Sequence, residues 1–353
     1  MKLLIELPSN QQSRIQHLLN KNLYSDLNSF IIAAVENQLH LEHYGLNDSI
    51  VLKNEKADWG TRMQDPRISQ LPEEIEKSIQ FIKPPTWSDL CIETNISEEH
   101  TWTWGQINRM FPTKVVLRFL LNKLYKKYGS GMRGNKIWTI PLEEFIEGAC
   151  EIARVIGIAI SKVEVNERGK KISAALPIGE DVSKAQTRFK NHFLITIRKD
   201  GILSGALAQY KFVNVNYEKN GSYNIGISEA GFDFAMLENT VLNENFKAEN
   251  AFSKEESTFL ISHFKREVRG EYNSMLWVLE KINQGTDNPD SINQALNNYS
   301  DDKDFRWSKS VINTYRAGLI SRVREIGFIE RIKEGIEVKY KLTELGKDLL
   351  QPE

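Results

Sequence analysis

Cysteine is almost absent from the sequence: Cys91 and Cys150 stand far apart, with no CxxC or Cys/His cluster around either. That excludes a disulfide framework and leaves no zinc site. No apolar run approaches the roughly 20 residues needed to cross a bilayer, and the stretch before Pro8 is too short for a signal-peptide core. A cytoplasmic protein is expected. Net charge is also nearly absent, since 46 Lys+Arg oppose 47 Asp+Glu to give -1, and as a total this argues against a nucleic-acid partner. What is present is ordinary for a globular chain: 41% of the 353 residues are hydrophobic. At roughly 100 to 200 residues per domain, that length predicts about two or three domains.

The charge is not evenly spread. Residues 1–99 hold 9 basic and 15 acidic side chains, a net of -6. Between Glu99 and Glu143 there is no acidic residue, while Arg109, Lys114, Arg118, Lys123, Lys126, Lys127, Arg133 and Lys136 are all basic. Residues 184–211 oppose six basic residues to Asp200 alone, and residues 303–341 oppose ten to five. Sign asymmetry of this kind indicates a footprint for an anionic partner better than the total does.

The first 42 residues read as one strand and two helices. Leu3, Ile5 and Leu7 alternate with Lys2, Leu4 and Glu6 before Pro8 ends the strand. Ile15, Leu18 and Leu19 keep a helical period, and after a polar break Phe30, Ile31, Ala34, Val35, Leu39 and Leu41 form a second stripe. A lone strand with two short helices leaves its backbone groups unpaired, so a second copy should complete a ribbon. The order of strand, proline, helix, polar turn and helix in KLLIELPSNQQSRIQHLLNKNLYSDLNSFIIAAVENQL resembles the ribbon-helix-helix fold of the Arc and Met repressors, over about 40 residues of the chain. The resemblance implies a homodimer paired through Leu3, Ile5, Leu7, Phe30, Ile31, Ala34 and Val35. It also implies that Lys2, Leu4 and Glu6 face outward, where Leu and Glu are poor DNA contacts, so dimerisation is favoured over direct base reading.

Residues 43–100 read as a linker punctuated by Pro66, Pro72, Pro84 and Pro85. A first domain is expected over 101–245. Its helices begin at PTKVVLRF and LEEFIEGA, with a third over about 183–199 that turns Phe189, Phe193 and Ile197 inward. Two strands follow, ALAQYKFVNV and SYNIGI, around the hairpin signal Asn220-Gly221. The same grammar recurs over 246–353, with helices at about 271–284, 290–299 and 307–326 and a hairpin around Glu334-Gly335. Each pass ends on Ser/Thr-Glu-x-Gly: ISEAGFDFAML in the first, LTELGKDLL in the second. Helices followed by a two-stranded wing make the winged-helix order. The C-terminal YKLTELG resembles the Y-x-L-T-x-x-G string that closes bacterial and archaeal winged-helix regulators. The expected fold is therefore mainly α with short β-hairpins, an α+β class, comprising a ribbon-helix-helix segment and two winged-helix domains.

Enzyme chemistry finds no constellation. Gly129, Gly131 and Gly134 satisfy G-x-G-x-x-G, but a helix rather than a strand precedes them and Asn135 stands where a phosphate loop needs Lys. His40 and His43 have no further metal-type neighbours. The carboxylate pairs Glu73-Glu74, Glu143-Glu144 and Glu255-Glu256 fall at helix starts, where the dipole favours acids. No catalytic residue, metal or cofactor is expected.

A helix that enters a groove needs an apolar stripe on one side and donors on the other. In the long C-terminal helix Ile312, Tyr315, Leu319, Val323 and Ile326 make the stripe, while Lys309, Asn313 and Arg316 face away; Arg suits guanine and Asn adenine, Lys309 and the wing residues Lys333 and Lys339 suit phosphates, and Arg324 is a further DNA-binding candidate. The first domain offers Lys184, Thr187, Arg188, Lys190 and Asn191 in the corresponding place, Lys219 at the wing tip, and Arg133 and Lys136 in the glycine loop. The expectation is a homodimeric double-stranded-DNA-binding transcription regulator. The alternative is a non-enzymatic adaptor or architectural subunit of a defence or mobile-element complex, whose winged helices bind protein.

Overall fold

Pro112 sits in the first turn of a long helix, where its missing N–H is no loss, and Lys126 and Lys127 close that helix at its negative end. This helix, α1 (Phe111–Tyr128), is buried on every side over its first three turns, Thr113, Lys114, Arg118 and Asn122 included. By sequence, Val115, Val116, Phe119, Leu120, Leu124 and Tyr128 keep a helical period that predicts one apolar stripe. A helix enclosed all round must instead satisfy its polar side chains internally, and that requirement shapes the rest of the chain. The computed structural model describes Leu27 and residues 102–128, 138–164, 171–197, 203–217, 221–243, 246, 250–302, 306–335 and 337–351. The expected ribbon-helix-helix contacts Leu3, Ile5, Leu7, Phe30, Ile31, Ala34 and Val35, and the 43–100 linker, lie outside these.

After α1 come β1 (Ile140–Pro141), α2 (Leu142–Val163), a 3₁₀ turn (Ile172–Ala175) and α3 (Val182–Phe193). Leu142, Phe145, Ile146, Ala149 and Cys150 recur at helical spacing and turn one face of α2 to the core. Asp181 caps α3 by accepting the Lys184 N–H at 3.1 Å. The helix expected to reach residue 199 ends at Phe193. The β-branched Ile195-Thr196-Ile197 prefers an extended chain, and β2 (Thr196–Ile197) pairs antiparallel with β3 (Leu203–Ser204). Likewise ALAQ is a helical turn, α4 (Ala206–Gln209), not the start of a strand. The hairpin itself is β4 (Val213–Tyr217) and β5 (Tyr223–Ile227), turning through Gly221 at φ 87. β1 adds to the free edge of β5, giving an antiparallel sheet in the order β1-β5-β4.

The chain continues through α5 (Glu229–Met236), α6 (Thr240–Asn243), α7 (Lys254–Glu267), α8 (Arg269–Asn283), α9 (Pro289–Asp302) and α10 (Lys309–Glu325). The hairpin β6 (Ile329–Glu334) and β7 (Glu337–Leu342) and a last short helix, α11 (Glu344–Asp348), complete it. The Tyr340 N–H of β7 donates to the Asp287 carbonyl between α8 and α9 at 2.7 Å. That places residue 287 beside β7 much as β1 lies beside β5. The architecture is mainly helical with small antiparallel sheets, an α+β fold. The described residues from Trp102 onward belong to one compact unit, and a single buried core draws on residues of both 101–245 and 246–353.

The repeated Ser/Thr-Glu-x-Gly strings have one physical cause. Lys211, at φ 55, and Gly327, at φ 96, end the helices before the two hairpins, and the next N–H groups, of Phe212 and Phe328, reach back to Leu207 O and Val323 O at 3.0 and 2.9 Å. Across each hairpin, Ser228 N–H donates to Phe212 O at 3.0 Å and Thr343 N–H to Phe328 O at 2.9 Å, while the two hydroxyls donate to Lys211 O and Gly327 O at 2.7 Å. Each hydroxyl also accepts the N–H of its own glycine, Gly231 or Gly346, at 3.1 Å. A Cβ on either glycine would lie well inside 3.0 Å of the phenylalanine carbonyl oxygen. Glycine is required because the helix after each hairpin returns against the start of the first strand.

Candidate nucleic-acid interface

α10 is covered on three sides. Ser308 caps it, accepting the Val311 N–H at 3.3 Å, and Ile312, Leu319, Val323 and Ile326 enter the core. Residues 102–110 cross a second side so closely that a Cβ on Gly318 would collide with Gly105 O, and one on Gly105 with Thr314 O. Arg322, 1% exposed, lies under this strap. Its Nε is 2.6 Å from Glu271 Oε1, Nη2 donates to Glu271 Oε2 at 3.0 Å and Nη1 to Ile107 O at 2.6 Å. Met110 N–H donates to the Glu325 carboxylate at 2.5 Å. Aromatic rings pin the strap's outer end: Trp102 stacks on Tyr299 at 4.6 Å, Trp307 on Tyr315 at 4.5 Å, and Trp104 meets Tyr315 edge-on at 5.4 Å.

On the third side α9 meets α10 through Asn293, which donates from Nδ2 to Asn313 Oδ1 at 3.0 Å and accepts from Arg316 Nε at 2.9 Å. Asn313 and Arg316 are therefore half-buried and tethered, not the free exposed pair that helical spacing suggested. Lys309 is exposed, with no ion pair among the described residues. Ser310 and Ala317 are exposed and Arg324 half-exposed on the side left open. The hairpin lysines Lys333 and Lys339 do not act together. Lys333 opposes Val338 and Lys339 opposes Ile332, so their side chains leave opposite faces of the β6–β7 ribbon.

Lys184, Thr187, Arg188, Lys190 and Asn191 are all exposed on α3. The 3, 1, 3 spacing of Lys184, Thr187, Arg188 and Asn191 places these four on one face, away from the buried Phe189 and Phe193; Lys190 lies to the side. Lys184 Nζ is 3.3 Å from Asp181 Oδ2, and the N–H and ammonium of Lys184 hold the Asp181 carboxyl below its usual range. Burial, with Arg188 adding, keeps the His192 imidazole pKa below its ordinary value. α3 does not correspond to α10 in register, because the stretch as far upstream of Phe212 as α10 is of Phe328 contains the β2–β3 hairpin and α4. Lys219, Arg133 and Lys136 lie outside the described residues.

The basic stretches contribute less to the surface than their composition suggested, since Lys114 and Arg118 are inside along with Arg322. Lys114 Nζ is 2.8 Å from Glu256 Oε1, both side chains fully buried, and also donates to Phe234 O and, at 2.7 Å, to Leu237 O. Arg118 donates to Ala235 O at 3.2 Å and Leu237 O at 2.8 Å. Two cations one turn apart on α1 thus close the carbonyl end of α5. Burial pushes the Lys114 pKa down to about 7, with Glu256 opposing and Arg118 adding, and pushes Arg118 down to about 10. Glu256, read from sequence as a helix-start acid, does complete a capping box with Ser253, and also accepts from Asn239 Nδ2 at 2.9 Å.

Two features escaped sequence reasoning. Asn293 sends no local signal, because its role depends on residues 20 and 23 positions away. Tyr217 and Tyr223, 67% and 38% exposed, pair across the mouth of the β4–β5 turn with rings 4.9 Å apart; their placement on either side of the Asn220-Gly221 turn signal would have revealed them. Among the described residues no cluster of His, Cys, Asp and Glu could hold a metal ion, and no helix is long and apolar enough to cross a membrane. Comparison with protein-family models, curated proteins and solved structures finds no match.

Proposed function

We propose that this chain is a homodimeric double-stranded-DNA-binding protein that regulates transcription, pairing through residues 1–42 and gripping the duplex with two winged-helix units. The second unit would comprise α8, α9, α10 and the β6–β7 wing, with the Asp287 segment as its minimal first strand. The first would comprise α1, β1, α2, α3 and the β4–β5 wing, with the β2–β3 hairpin inserted before α4. The observation that carries the reading is the face α10 keeps open after core, strap and α9 have covered the rest. That face presents the exposed Lys309, Ser310 and Ala317 and the half-exposed Arg324, with Asn313 and Arg316 at its α9 edge and no acidic side chain of α10, and α3 offers Lys184, Thr187, Arg188 and Asn191. Donors on a supported helix suit phosphates and base edges.

Anisotropy titration of labelled duplexes with the full chain tests this. Binding by the parent, weakened by Lys309→Ala combined with Arg188→Ala at unchanged thermal stability, supports it; no duplex binding at low salt overturns it.

The exposed Tyr217–Tyr223 pair favours a second reading, an adaptor or architectural subunit whose first wing docks on protein, because two neutral rings suit an apolar partner surface. Purification from the native cell discriminates. A protein partner at fixed stoichiometry with no nuclease-sensitive absorbance supports the adaptor, and co-purifying nucleic acid supports the regulator.

A further inference from the structure

Alternation along the β4–β5 hairpin sorts its side chains by face. Val213, Val215 and Tyr217 on β4 lie opposite Ile227, Ile225 and Tyr223 on β5, while Asn214 and Asn216 share the reverse face with Gly226 and Asn224. The first face is core over most of its length, with Val213, Ile225 and Ile227 fully buried and Val215 half-buried. Its last pair overhangs into solvent. Tyr217 is 67% and Tyr223 38% exposed, and their rings, 4.9 Å apart, are inclined at 51°, so most of the Tyr217 ring is open. Neither phenol hydroxyl has a hydrogen-bond partner among the described residues. The turn beyond them reads Glu-Lys-Asn-Gly-Ser and carries no apolar side chain.

The size of this surface decides between ligands. The exposed parts of the two side chains amount to roughly 200 Å², whereas a stable protein interface buries about 800 Å² on each partner. Rings isolated among polar residues match the face of a nucleobase instead. Stacking on an aromatic ring is indifferent to which base is present and strengthens binding about 5- to 150-fold per base. A continuous B-form duplex does not offer such a face, because its bases cover one another and opening a step costs about as much as the ring returns, or more. At a bulge, a gap or a single-stranded overhang the face is already free. We infer that the tip of the β4–β5 hairpin stacks an unpaired base, with Tyr217 as the contacting ring and Tyr223 as its backing, so that the chain prefers duplex DNA interrupted by an unpaired base to the continuous duplex. This rests on the DNA-binding reading above and gives the two rings a nucleic-acid ligand in place of a protein one.

Anisotropy competition with the full chain tests this on duplexes of one sequence: continuous, carrying a central unpaired thymine, and ending in a single-stranded overhang. Both interrupted duplexes should compete about tenfold better than the continuous one, within the range of a single stacked base. That ratio should hold as salt rises, although every affinity falls, because Glu218 and Lys219 cancel at the turn and stacking releases no counterions. Tyr217→Ala should reduce the ratio to less than about twofold, and Tyr217→Phe, which keeps the π face, should retain it. Since the ring is exposed, neither change should alter the melting temperature or the affinity for the continuous duplex. With 5-iodouracil as the unpaired base, irradiation should crosslink the chain at Tyr217. Equal competition by all the duplexes, or a ratio that survives Tyr217→Ala combined with Tyr223→Ala, overturns the proposal while leaving DNA binding intact. A stoichiometric protein partner released by Tyr217→Ala also overturns it, by assigning the rings to a protein surface. Failure of the parent to bind any duplex instead removes the reading beneath it.

Discussion

Lys114 carries the buried charge whose titration reports most directly on the core. In the folded chain burial first, with Arg118 adding and Glu256 opposing, lowers its pKa from 10.5 to about 7. Between those values the unfolded chain holds more protons than the folded one, so stability rises with pH, at up to about 1.4 kcal/mol per unit for one group. Below about pH 7 both states carry the proton and the full penalty is present. Higher up other groups oppose the rise. Burial lifts the Cys150 thiol from 9.0 to about 11, and burial, with Glu271 adding, lifts the Tyr210 phenol well above its usual range, so folding then retains protons the unfolded chain sheds. The interval from about pH 7 to 9 therefore isolates Lys114, and over it urea unfolding followed by tryptophan fluorescence should show a gain of about 2 kcal/mol. Lys114→Met should abolish the gain. Glu256→Gln strands the ammonium and should cost about 3 to 5 kcal/mol in mildly acidic solution, less as pH rises and the amine sheds its proton. A flat parent profile, or a slope that survives Lys114→Met, would refute a buried cation at this site.

Two further substitutions test the close approaches. Gly346→Ala drives a methyl into Phe328 O, and overpacking of this kind costs about 1 to 3 kcal/mol, so the melting temperature should fall while Lys347→Ala, on the exposed side of α11, leaves it unchanged. Gly318→Ala pushes the 102–110 strap off α10. Limited proteolysis should then cut near Trp104, with a red-shifted tryptophan emission; an unchanged digestion pattern would mean that the strap is held by something other than that contact.

The α+β class was readable because α2, α10 and both hairpins carry their signals locally, in apolar period, hydroxyl caps and Asn-Gly or Glu-Gly turns. The end of α3 was misplaced because Ile197 fits a helical stripe as well as a strand, and the pairing of Thr196 with Ser204 that decides it is not local. The surroundings of α1 were invisible for a related reason: Lys114 looks like a solvated base until Glu256, far along the chain, is brought to it. Asn313 shows the same limit at the site. Its identity suggested an exposed adenine reader, and the structure instead leaves it half-buried with its oxygen bonded to Asn293, 20 residues upstream. By contrast, the repeated Ser/Thr-Glu-x-Gly was visible as a string before its cause, a helix closing against a phenylalanine carbonyl, was known.

The central claim, that the open faces of α10 and α3 meet a nucleic-acid duplex, is tested most directly by the salt dependence of duplex affinity. Each phosphate neutralised releases counterions, so a plot of log K against log salt has a slope of about -0.9 per contact. The account predicts a steep negative slope for the full chain, made shallower by about one for each of Lys309→Ala, Lys184→Ala and Arg188→Ala. Affinity independent of salt, or a slope that none of the three changes, would contradict it.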